Sequence, residues 1–133
     1  MATSIPWLQR IIALVAIVFG GLTLFVGSRV LLGNDPGYVV YRPLLLYNVA
    51  MGAVYVLAGM LIWRGTAAGR GLAGLIFVLN AIVLAGVVYL YQGGAAVAVE
   101  SVRAMSLRTG VWLVLFGGLV WLSRRPGVIA GAR

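Results

Sequence analysis

The sequence predicts an all-α integral membrane protein, a four-transmembrane-helix bundle with both termini cytoplasmic, and three observations carry that fold class. Of 133 residues, 63% are hydrophobic and 9% are charged, against about a quarter charged in soluble domains. Mean hydropathy is +1.11. The apolar residues fall into four runs. About 20 apolar residues cross a hydrocarbon core roughly 30 Å thick, so four crossings use most of the chain and leave room for a single domain over residues 1–133.

The first span is expected at about 10–32. Its core, IIALVAIVFGGLTLFVG, extends past Arg29 if that side chain snorkels to the headgroups. A weakly charged start before an apolar core also suits a secretory signal, but the run is read as a retained span. A Gly-Asn-Asp-Pro-Gly turn follows. The second span, 44–63, starts after Arg42-Pro43, where proline fits a first helical turn because its missing N–H loses nothing there. A short Gly/Ala loop from Arg64 to Arg70 leads to the third span, 71–91, which Gln92-Gly93-Gly94 terminates.

The fourth span, 104–123, is harder to bound. Arg108 and Arg124 enclose only 15 residues, about 22 Å at a rise of about 1.5 Å per residue. The helix is therefore expected to start near Ala95 and to carry Glu100, Arg103 and Arg108 toward the interface. The alternative is a separate interfacial helix before a short, tilted span.

Orientation follows from the arginines. With the amino terminus inside, Arg10, Arg64, Arg70, Arg124, Arg125 and Arg133 are cytoplasmic, whereas Arg29, Arg42, Arg103 and Arg108 lie outside with both acids, Asp35 and Glu100. All ten basic residues are arginine, which together with abundant Ala, Gly and Val suggests a GC-rich bacterial genome and hence a multi-pass protein of a bacterial inner (cytoplasmic) membrane. The charge of +8 is spread over the ends of apolar runs rather than gathered in a basic stripe, so a nucleic-acid partner is not expected.

Cysteine and histidine are absent. Thiolate zinc sites, cysteine-held iron–sulfur clusters, imidazole-ligated haem and Ser-His-Asp catalysis all need one or the other. No cofactor is expected, although a bound lipid or quinone remains compatible. No carboxylate falls mid-span, where a proton-coupled carrier would need one.

Three intramembrane polar residues stand out. Asn48, Gly52, Tyr55 and Gly59 recur at i, i+4, i+7 and i+11, a polar and small stripe read as a helix contact in preference to a pocket wall. Asn80 needs a partner in hydrocarbon. Counted from the outer ends, it lies level with Tyr55, which makes the two expected neighbours. Ala16 with Gly20, Ala81 with Ala85, and Gly52 with Gly59 read as further packing seams. The ligand or lipid-headgroup candidates are the outer set, Arg29, Asp35, Arg42, Glu100, Arg103 and Arg108. Arg108, about one turn below the interface, is the most suggestive. A local Glu100–Arg103 pair with phospholipid contacts for the other arginines is the simpler alternative. FGGL occurs at 19–22 and again at 116–119, which reads as ordinary helix packing rather than an internal repeat.

An arginine opening the first span (LQRIIALVAIVFGG), a glycine-rich second span (NVAMGAVYVLAGMLIW) and a short basic loop into the third make residues 9–91 similar to the DoxX-type small four-helix bacterial membrane proteins. The resemblance implies an accessory membrane protein, in some cases associated with redox systems, and transfers no catalytic residue. The leading functional expectation is a non-enzymatic accessory or assembly component that binds another membrane protein or a second copy of itself within the bilayer. Two others stand beside it. One is an oligomeric channel or carrier for an anion or lipophilic solute, with Thr23, Asn48, Tyr55 and Asn80 as its path. The other is a quinone- or lipid-handling enzyme using Arg42, Tyr47, Asn48 and Glu100.

Overall fold

The computed structural model describes residues 6–65 and 67–124; Arg125 and Arg133, two of the arginines counted as cytoplasmic, lie outside them. Four helices run α1 (Pro6–Leu31), α2 (Arg42–Trp63), α3 (Ala67–Gln92) and α4 (Val99–Arg124). All four are long and apolar enough to cross a membrane. The shortest has 22 residues, about 33 Å at a rise of about 1.5 Å per residue.

Left-handed glycines follow three of the helices, Gly33 after α1, Gly65 after α2 and Gly94 after α3. At Gly33 (φ +110°) the Asn34 N–H donates to the Arg29 carbonyl at 2.9 Å, and at Gly94 (φ +83°) the Ala95 N–H donates to the Leu90 carbonyl at 3.0 Å. The closures at Gly33 and Gly94 are Schellman motifs, which need a left-handed residue and satisfy carbonyls that would otherwise be orphaned. Pro43 sits in the first turn of α2.

Buried positions on every helix alternate spacings of three and four. They include Ala13, Ala16, Gly20, Thr23 and Gly27 on α1, and Met51, Tyr55, Ala58 and Ile62 on α2. On α3 they include Gly69, Ala73, Ile76 and Asn80, and on α4 Ser101, Met105, Trp112, Leu115, Leu119 and Leu122. Such a seven-residue repeat keeps one seam facing the neighbours in a gently crossed bundle. Beside Thr23, Asn80 and Ser101, two further polar residues occupy seam positions: Asn48 falls four residues after Leu44, and Arg108 falls between Met105 and Trp112.

The helices pack as two hairpins, α1 on α2 and α3 on α4. Contact between α2 and α3 is smaller, that between α1 and α4 is thinnest, and the diagonal pairs do not meet through their backbones. Glycine sets the closest approach. A β-carbon on Gly20 would lie 2.8 Å from both the Gly52 carbonyl oxygen and Tyr55 Cβ, and one on Gly59 would lie 2.9 Å from the Ala13 carbonyl oxygen. The α1–α2 seam thus runs through the small residues singled out in sequence. Ala81 and Ala85 do not form one: Ala85 is exposed, and α3 uses Gly69 against Ile62 and Gly74 against Phe116 instead. At one end of the α1–α2 seam, Arg10 lies over the Trp63 ring at 5.3 Å and Gln9 donates to the Ile62 carbonyl at 2.8 Å.

Element bounds differ from the sequence reading in three places. Helix α3 begins at Ala67, so Arg70 is helical rather than part of the loop. Helix α2 takes in Arg42. Helix α4 is one continuous helix through Arg124, not an interfacial helix followed by a span, but it starts at Val99 rather than Ala95. Residues 95–98 instead cap the bundle end, with Val97 buried against Leu44, Val87 and Met105. Outward faces carry large apolar side chains on all four helices, among them Val18, Leu57, Ile82 and Val114, the surface of a multi-pass membrane protein.

Replacing Gly59 with Val should lower the unfolding free energy read from an SDS titration by roughly 1–3 kcal/mol, the cost of overpacking. Gly21→Ala, where a β-carbon meets nothing within 4 Å, should cause no loss.

Candidate functional site

Polar groups inside the bundle separate into a sealed set and an open one. The sealed set centres on Asn80, which is fully buried. Tyr47 donates its hydroxyl to Asn80 Oδ1 at 2.8 Å, and Asn80 Nδ2 donates to the Tyr55 hydroxyl at 2.9 Å. The carboxamide thereby ties α3 to two positions of α2. The Tyr55 ring lies 5.7 Å from Phe19 of α1 and 5.0 Å from Trp112 of α4, so one side chain touches all three other helices. Tyr55 and Asn80, level by depth, are in direct contact, and Tyr47 is a third member with no expected role in that contact.

The open set lies toward the end of the bundle that holds the α1–α2 and α3–α4 loops. A cavity of about 80 Å³ opens there between α1, α2 and α4, and its wall includes Thr23, Tyr38, Tyr41, Asn48, Ser101 and Arg108. Thr23 is satisfied locally, donating to the Phe19 carbonyl at 2.8 Å. Asn48 Oδ1 and Arg108 Nε are buried and have no hydrogen-bond partner, and the same holds for the indole N–H of Trp112, one turn further along α4. A buried donor or acceptor left this way costs more than a hydrogen bond normally returns.

Of the six charged residues expected on the outer side, only Arg108 lines the cavity. Arg29 is exposed over the Phe25 ring at 5.5 Å. Asp35 is exposed in the α1–α2 loop, where its Oδ1 accepts the Gly37 N–H at 2.8 Å. Arg42, Glu100 and Arg103 are exposed at the starts of α2 and α4. The fold gathers the six at one end without joining them into a single site. Of the path proposed for a solute, Thr23 and Asn48 face the cavity, whereas Tyr55 and Asn80 are sealed below it.

Sequence reasoning did not single out Tyr38, Tyr41 or Ser101. Ser101 was detectable, since it precedes Arg108 by seven residues and therefore shares its helix face. The tyrosines reach the cavity from the loop and the entry of α2, where no periodicity reports direction. No family model, no curated protein and no solved structure matches the chain.

In a double-mutant cycle, Tyr55→Phe and Asn80→Ala should couple by about 0.6 kcal/mol and by no more than about 1.7 kcal/mol, the range of interhelical hydrogen bonds in membranes. Unfolding titrations of the four proteins check this.

Proposed function

We propose that this chain is a non-enzymatic, multi-pass component of a bacterial cytoplasmic membrane that acts by binding another membrane protein through its helix faces. The observation that carries the reading is the open seam between α1 and α4. An apolar groove of about 720 Å³ runs there, lined by Leu8, Ile11, Val15, Leu107, Val111 and Val114, with Ser106 and Gly110 in the same wall. Small residues four apart let a neighbouring helix approach closely in lipid, where packing rather than hydrophobicity drives association. A β-carbon at Gly110 or at Gly117 would meet nothing within 4 Å, so this face has room for a partner's transmembrane helix. Connections of ten residues (32–41), three (64–66) and six (93–98) between the helices offer little surface outside the bilayer, which favours recognition in the membrane plane. The likeness to DoxX-type proteins points to the same accessory role.

Extraction in a mild detergent should yield a stoichiometric complex, and Gly110→Leu should lose the partner while the chain stays folded; a lone monomer across several gentle detergents would contradict the reading. In this reading both termini are cytoplasmic. Because the chain has no cysteine, single cysteines report orientation without background. A membrane-impermeant maleimide applied to spheroplasts should label Asn34→Cys and Ala96→Cys, and should label Ala67→Cys only after lysis.

A further inference from the structure

We propose that the cavity between α1, α2 and α4 is a receptor for one anionic headgroup, a phosphate or a carboxylate, held by Arg108. The site shares no residue with the α1–α4 groove, so it stands independently of the partner-binding reading.

Position is the first argument. Arg108 fills a core position of the seven-residue seam on α4, between Met105 and Trp112, both fully buried. An arginine on the outward face would extend along the bilayer to the headgroups; this one is directed between helices, with Nε sealed from solvent and unpartnered. Charge is the second. No acid lines the cavity among the described residues, and both carboxylates are exposed, Asp35 being engaged by its own turn. A guanidinium drawn partly out of water, here at Nε, without a counter-charge is unfavourable, and within a membrane protein such a group is paired or binds a ligand. An anion supplied from outside the chain completes this one, and guanidinium geometry suits the two oxygens of a carboxylate or phosphate.

The remaining wall fits the same ligand. The hydroxyls of Tyr38, Tyr41 and Ser101 can turn to donate to anionic oxygens. Asn48 Oδ1, also buried and unpartnered, needs a donor, which a headgroup hydroxyl or a bridging water supplies. A volume of about 80 Å³ is well above the roughly 10–15 Å³ that one water needs on the same measure. That admits the charged head of an amphiphile and leaves any acyl tail in the surrounding lipid.

The test compares thermal unfolding of the full chain in a neutral detergent with added phosphatidylglycerol, diacylglycerol, which has no phosphate, or inorganic phosphate. Phosphatidylglycerol should raise Tm by about 3 °C or more, diacylglycerol should not, and Arg108→Gln should abolish the difference while Arg103→Gln, at an exposed position, retains it. Should Arg108→Gln fail to fold, Arg108→Lys, which keeps the charge but loses the planar fork, should bind at least tenfold more weakly. Protection of the wild type by inorganic phosphate equal to that by phosphatidylglycerol would also support the site and identify its occupant as a free anion. Equal protection by both lipids with none from phosphate, or an Arg108→Gln protein that still selects the anionic lipid, would overturn the proposal.

Discussion

The carboxamide of Asn80 is the group on which the arrangement of the bundle turns. It is fully buried on α3 in a helix whose length and apolarity suit hydrocarbon, where an unsatisfied amide costs several kcal/mol. Both of its ends find phenol hydroxyls on α2. That requirement fixes the register of α3 against α2 at an interface where the backbones touch far less than within either hairpin. Tyr55 then transmits the constraint, because its ring also meets Phe19 and Trp112. Glycine makes the placement sterically possible: any side chain at Gly20 would collide with Tyr55 Cβ. A polar contact of modest strength and a dry seam of small residues therefore depend on one another.

The same seam explains why the bundle has two kinds of polar interior. A seven-residue repeat directs whatever occupies its core positions inward, whether leucine, asparagine or arginine. Asn80 lies opposite tyrosines and is closed off. Asn48 and Arg108 face space, with buried atoms that nothing in the described chain satisfies. Packing that seals one level of the bundle leaves a small polar chamber at the next, above Tyr55 and Trp112.

Much of this was legible in the sequence, for identifiable reasons. Four spans followed from hydropathy because the cost of exposing polar backbone to lipid leaves helices as the local solution. Their ends were less legible. Arginine near an interface does not stop a helix, since its stem lies along apolar surface, and so Arg42, set just before the second span, and Arg70, set in the loop, are both helical. The start of α4 was set by Val97 packing into the bundle end, a tertiary contact with no local signal. Depth counting brought Tyr55 to Asn80, but Tyr47 reaches the same amide from two turns away, which depth alone does not reveal. For the charged residues, sequence position gave the end of the bundle and not the direction around each helix. The spacing Ser101, Met105, Arg108, Trp112 holds that direction for Arg108. Tyr38 and Tyr41 carry no comparable spacing because the path of the loop depends on the completed fold.

The most direct test is a through-space contact in the lipid-embedded protein. Solid-state NMR of the chain in bilayers, labelled at asparagine nitrogens and tyrosine carbons, should give a cross-peak between the Asn80 side-chain nitrogen and the Tyr55 ring carbon that bears the hydroxyl, with that amide protected from exchange in D₂O. An Asn80 side chain that contacts acyl chains instead, with no tyrosine cross-peak, would contradict the account of how these four helices are held together.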